Sequence, residues 1–108
     1  MKVVYFRTVS GRQPVEEYIR RFSEDDRAKV SKDIVLIERY GLDAPVPFRH
    51  IGGKLWEMKT GRGKQQRIFF IIIAGPMMVL LHACKKQKTG SQHEDVAVAA
   101  HRMKEVQS

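Results

Sequence analysis

The sequence predicts an α+β domain in the order β-α-α-β-β-β-α: an antiparallel sheet packed against a helical hairpin, with a C-terminal helix. Three observations carry this reading. Residues 14–40 repeat apolar side chains at helical spacing. Residues 67–84 hold two dense apolar strings, "RIFFIIIA" and "MMVLLHAC", split by the turn pair Gly75-Pro76. The final stretch, "QHEDVAVAAHRMKEVQ", is rich in helix formers. At 108 residues the chain has the length of one domain, 1–108.

In chain order, "KVVYFR" is β-branched and aromatic and predicts a first strand, broken by "SGRQP". Pro14 suits a first helical turn, and Val15, Tyr18, Ile19 and Phe22 continue a helix from about Pro14 to Phe22. Ser23 followed by Asp26 reads as a cap, with acids 24–26 placed at a positive helix end. Val30, Ile34 and Ile37 stripe that second helix, which Gly41 stops after Tyr40. "LDAPVPFRHIGG", with two prolines and a glycine pair, predicts a loop. "KLWEMK" then reads as a strand, "TGRGKQQ" as a turn, and the two apolar strings as a central strand pair covered on both faces.

A formal net charge of +8 on so small a chain favours an acidic partner such as nucleic acid. The single cysteine, Cys84, excludes a disulfide within the chain. The histidines and Cys84 show no zinc-ligand spacing, so neither a metal nor another cofactor is expected. The N-terminus lacks a signal-like apolar region. The longest apolar run is interrupted by "AGP" and is shorter than the ~20 residues of a spanning helix. No membrane association and a cytoplasmic location are therefore expected.

Alternation along strands groups the charges. Leu80, His82, Cys84 and Lys86 are expected on one face of the last strand, and Leu81, Ala83 and Lys85 on the other. A tight turn at Gly75-Pro76 places Arg67 opposite Cys84 and Phe69 opposite His82. Arg67, His82 and Lys86 then meet at one end of the sheet, joined by Lys59 and Glu57 from the preceding strand. A one-residue slip would scatter them. Arg67 opens an apolar strand, and a buried arginine needs a partner. Glu57 could supply it as a structural pair, or a phosphate could.

Glu57 is the one acid between Arg49 and Lys88, too few carboxylates for a metal-dependent nuclease. No Ser-His-Asp or Cys-His-Asn arrangement assembles, and Cys84 within an apolar strand is a poor nucleophile. A cation cluster with a histidine and a carboxylate can still cleave RNA, because RNA brings its own nucleophile. Attack of the 2′-OH on the adjacent phosphate builds negative charge that preorganised Arg and Lys side chains stabilise. His, Glu or Lys can carry the proton.

The pattern "KLWEMK…QRIFFIII…VLLHACKKQ…AAHRMKE" resembles HigB-like toxins of the RelE/ParE superfamily, including their phage-derived branch. The resemblance covers nearly the whole chain. It implies a RelE-like fold and the toxin of a type II toxin–antitoxin system, a ribosome-dependent endoribonuclease that inhibits translation by cutting mRNA. By position, it implies a phosphate-binding role for Arg67 and basic catalytic roles for Lys86 (or Lys85) and Lys59. Glu57 stands where some relatives carry lysine, and His82 matches the "LLH" of close relatives. Lys85, Lys88, Arg62, Lys64, Lys54, Arg20 and Arg21 are the candidate RNA contacts. Two departures stand out: "QKTGSQHE" lacks the proline common after "KK", and Cys84 replaces an aromatic residue.

The implied partners are a cognate antitoxin, a helix-turn-helix HigA-like protein, together with mRNA and the 70S ribosome A site. Operator DNA is implied only through the antitoxin complex. Two other readings remain open at this level: a ParE-like gyrase inhibitor, and a basic module that binds nucleic acid or an acidic partner without catalysis.

Overall fold

The computed structural model of the chain describes residues 1–86 and 92–107. Strand β1 (Lys2–Tyr5) leads to helices α1 (Pro14–Arg20) and α2 (Glu24–Tyr40). Strands β2 (Phe48–Gly52), β3 (Leu55–Thr60), β4 (Gln66–Ile73) and β5 (Met77–Lys85) follow, and helix α3 (His93–Gln107) comes last. The α+β class, the helical hairpin and the C-terminal helix are as the sequence predicts.

Local chemistry explains the helix ends. Pro14 occupies the first turn of α1, where its missing N–H has no intrahelical partner to lose. The Ser23 hydroxyl accepts from the Asp26 N–H at 3.2 Å, and acids 24–26 fill the first turn of α2. Gly41, at φ 61°, ends α2. The first helix stops two residues before the expected Phe22, whose N–H bonds the Ile19 carbonyl three residues back.

The sheet differs from expectation in two ways. The segment read as a loop contains an edge strand, β2, paired antiparallel to β3. Pro47 and the Gly52-Gly53 pair mask it in sequence, yet an edge strand needs a ladder on one side only. Phe48 secures it edge-on against Phe70, with ring centroids 5.7 Å apart. The sheet is also mixed rather than antiparallel. Its order is β1-β5-β4-β3-β2, with β1 parallel to β5. Short hairpins force β2 through β5 to alternate direction. No hairpin joins β1 to β5, so the helices can return the chain to the far edge.

Strands β4 and β5 are buried on both faces, which accounts for their unbroken apolar strings. Ile68, Phe70, Met78 and Leu80 face the helical hairpin with Val15, Val30 and Ile37. Phe69, Ile71, Val79, Leu81 and Cys84 face α3 with Phe6 and Ala99. Phe69 and Phe70 are fully buried on opposite faces; burial of such side chains is worth about 1.5–3 kcal/mol each.

The register between β4 and β5 fixes the site. Arg67 pairs with Cys84 and Phe69 with His82, as predicted. The route differs from the tight two-residue turn assumed. Near the turn Ile73 pairs with Met77, leaving three turn residues, and the pairing shifts by one between Phe69 and Phe70. Leu81 is the extra residue of that bulge. Leu80 therefore faces the helical hairpin while His82 and Cys84 lie toward α3, which corrects the expectation that all three share a face.

Candidate active site

Two polar assemblies lie side by side on the α3 face of the sheet. The first centres on Glu57, which is fully buried. The Arg67 guanidinium donates to it at 2.9 Å, and Arg49 from β2 approaches at 3.5 Å. With its amide oriented to suit these neighbours, Gln92 accepts from Arg67 Nε at 3.0 Å and donates to Glu57 at 3.2 Å. Arg67 is only 8% exposed. Its geometry is that of the structural cross-strand partner. Its Nε and one terminal nitrogen are engaged by Gln92 and Glu57, so a phosphate would have to compete with both.

The second assembly joins β5 to α3. His82 Nε2 lies 2.7 Å from the Asp95 carboxylate. Arg102, two turns along α3, donates to the Leu81 carbonyl at 2.9 Å and sits 3.5 Å from His82 Nδ1. The neutral tautomer that satisfies both contacts carries its proton on Nε2 and leaves Nδ1 a lone pair. Phe69 stacks along the imidazole at 6.2 Å, fixing its plane. Burial first, then the charge and hydrogen bond of Asp95, push the Cys84 thiol up to about 12. That keeps it protonated and unreactive, in line with its reading as a poor nucleophile.

A cleft of about 210 Å³ opens beside this assembly, lined by Arg12, Tyr18, Arg21, His82, Ala83 and Arg102 among others. It exists because β1 stops pairing at Leu80. The C-terminal half of β5 is left without a neighbouring strand on that side, and α1 and α3 flank the gap. Arg12 is held by Glu17 at 2.6 Å, while Arg21 is exposed.

The predicted residues separate accordingly. Lys59 lies across the ladder from Arg67 and is half-buried; Lys85 and Lys86 are exposed at the end of β5. The Lys86 N–H extends the ladder to the Gln65 carbonyl at 2.7 Å. Arg21 lines the cleft, whereas Arg20 is tied to Glu16. Arg62 and Lys64 sit on the β3–β4 turn, where Arg62 lies 3.7 Å from Asp25 of α2. Lys54 is at the opposite end of the sheet beside Ile72, about 17 Å along β3 from Lys59, so it does not join the group. Lys88 lies outside the described residues.

Sequence reasoning missed Asp95, Arg102, Arg49 and Arg12. The signal for the first two is helical: Asp95, Ala99, Arg102 and Val106 recur at one-face spacing. An acid and an arginine on the stripe that also carries a buried alanine point inward, toward a polar partner.

The family model described as phage-derived protein Gp49-like matches residues 17–104, spanning α2, the four strands β2 to β5 and nearly all of α3. The chain belongs to the Gp49-like family. This is a phage-derived, toxin-like family often found in toxin–antitoxin modules, which points to an antitoxin as partner. No curated protein matches the chain. Among the described residues of this Gp49-like protein, no helix is long and apolar enough to cross a membrane.

Proposed function

We propose that this Gp49-like chain is a HigB-like toxin of the RelE/ParE superfamily, one that cuts mRNA in the ribosomal A site without a metal. The observation that carries the reading is the His82–Asp95 pair opening on an arginine-lined cleft. Asp95 fixes the tautomer and orientation of the imidazole, so Nδ1 can accept the proton of an RNA 2′-OH. The 2′-oxygen then bonds to phosphorus as the bond to the 5′-oxygen breaks, and the leaving 5′-oxygen takes a proton from water. The products are a 2′,3′-cyclic phosphate and a 5′-OH end.

Arg21 and Arg102 flank the place where the phosphorane charge develops, and Lys85 and Lys86 lie on the same strand end, ready to hold the RNA backbone. Lys59, Arg62 and Lys64 extend the basic surface toward the ribosome. Arg67 and Glu57 serve as positioning residues: through Gln92 they hold the start of α3, which carries Asp95. A helix-turn-helix antitoxin would silence the toxin by covering the cleft, and the pair would bind operator DNA through the antitoxin.

The test is mapping of mRNA 5′ ends after induction of wild type, His82→Gln and Lys86→Ala in cells. Loss of a charge-stabilising donor should slow cutting about 10²–10³-fold, and loss of the base should do so comparably. Wild-type cutting by both variants would overturn the site. Inhibition of DNA gyrase supercoiling by the purified protein, with no mRNA cuts, would replace the activity with the ParE-type one.

A further inference from the structure

Cys84 has no part in that chemistry, yet it completes a cluster that does not depend on it. His82, Cys84 and Asp95 each present one ligand atom, and these atoms all lie within 4.8 Å of one another. We propose that the three form a binding site for a divalent transition-metal ion of the zinc class, joining α3 to β5.

The donor set selects the metal. A thiolate, an imidazole and a carboxylate suit Zn²⁺ and Co²⁺, whereas Mg²⁺ and Ca²⁺ prefer oxygen alone. The ligand edges of a tetrahedral zinc site are about 3.5 Å, from bond lengths of roughly 2.0–2.3 Å. An edge as long as 4.8 Å must close by about 1.3 Å, while the 2.7 Å edge between His82 Nε2 and Asp95 must open by about 0.8 Å as the ion enters between them, both within reach of side-chain rotation. The fold supplies the rest. His82 and Cys84 are two residues apart on one side of β5. Asp95 comes from the first turn of α3, too far along the chain for ligand spacing to reveal. Cys84 is buried and the other two half-buried, so the ligands are held but the site stays open on the His82 side toward the cleft. Thiolate and carboxylate together neutralise a dication. Arg102 lies against Nδ1 of the imidazole, while Nε2 points at Asp95.

On binding, the Cys84 thiol loses its proton to solvent as sulfur bonds the ion. The proton on His82 Nε2 moves to Nδ1, leaving the imidazole neutral and Nε2 free to ligate; because Arg102 has donors only, its guanidinium must turn from Nδ1 and let that N–H donate to water in the cleft. A metal-loaded chain then has no basic lone pair on Nδ1, so loading would also silence the proposed cleavage. The binding site itself does not rest on that cleavage.

The experiment is a Co²⁺ titration of the full chain, stripped beforehand with a chelator. Thiolate-to-cobalt charge-transfer absorption in the near ultraviolet should rise to one equivalent and bleach when Zn²⁺ is added. Cys84→Ser should abolish that band. Asp95→Asn and His82→Gln should keep it but weaken binding at least about tenfold, the lower end of what even outer-shell changes cost. Circular dichroism of each variant confirms that it is folded. Absence of the band in wild type overturns the proposal, as does a band whose affinity neither Asp95→Asn nor His82→Gln alters, because that is a lone thiol binding cobalt. Cobalt binding by a chain that cuts no mRNA even when stripped of metal would sustain this site and refute the cleavage reading alone.

Discussion

Glu57→Ala tests whether the buried pair anchors the fold. The carboxylate is fully buried and Arg67 is 8% exposed. Removing one member of such a pair strands the other and typically costs about 3–5 kcal/mol. Two features pull the value toward the lower end. Gln92 still accepts from Arg67 at 3.0 and 3.2 Å, and Arg49 loses little because its side chain is 56% exposed. A loss of about 3 kcal/mol is expected, against a total stability of roughly 5–15 kcal/mol for a domain of this size. Urea unfolding followed by circular dichroism measures it. The companion variant Glu57→Leu with Arg67→Met removes both charges and should recover at least half of the loss, since replacing a whole buried pair with apolar groups is often neutral. A loss below about 1 kcal/mol for Glu57→Ala, or a double variant no better than the single, would refute the anchoring argument and return Arg67 to the pool of free phosphate ligands.

Three further outcomes follow from the packing. Thr60→Val removes the 2.6 Å bond from the Thr60 hydroxyl to Asp33 and leaves that buried carboxylate with Lys29 at 4.0 Å; a loss of about 2–3 kcal/mol by the same unfolding assay is expected. Ser23→Ala deletes the cap of α2 and should cost about 1 kcal/mol. Gly61→Ala should cost more than the cap: φ is 77° and a Cβ would stand 2.9 Å from Gln66 Cγ and 3.3 Å from Asp26 Oδ1. Of that cost, the left-handed backbone alone accounts for roughly 1–2 kcal/mol. Thermal melts of Ser23→Ala and Gly61→Ala should rank them in that order.

The helices were legible because caps and stripes are local. Pro14, Ser23 and Gly41 each act on their own turn, and the structure uses each as the sequence implied. The edge strand β2 was not legible, because what makes it a strand is Phe48 against Phe70 and a ladder to β3, neither of which is local. The parallel pairing of β1 with β5 escaped for the same reason: strand direction without a connecting hairpin is decided by how the helices cover the sheet.

The site shows how a correct pairing can rest on compensating deviations. A two-residue turn would pair Arg67 with Cys84 directly. The protein instead has a three-residue turn and then inserts Leu81, which restores the same pairing beyond the bulge. The insertion has a consequence alternation could not supply: Leu80 keeps its place under the helical hairpin while His82 turns to α3. Had the strand run without the bulge, His82 would have continued the face of Leu80 into the helical-hairpin core, away from Asp95. The residue most easily missed in sequence, Asp95, and the irregularity most easily missed in register, Leu81, are therefore halves of one arrangement. A variant that deletes Leu81 removes the bulge but leaves His82 next to Leu80 and still opposite Phe69, so it should keep the His82–Asp95 contact; loss of that contact, read by nuclear magnetic resonance of the His82 ring, would refute this account of the register.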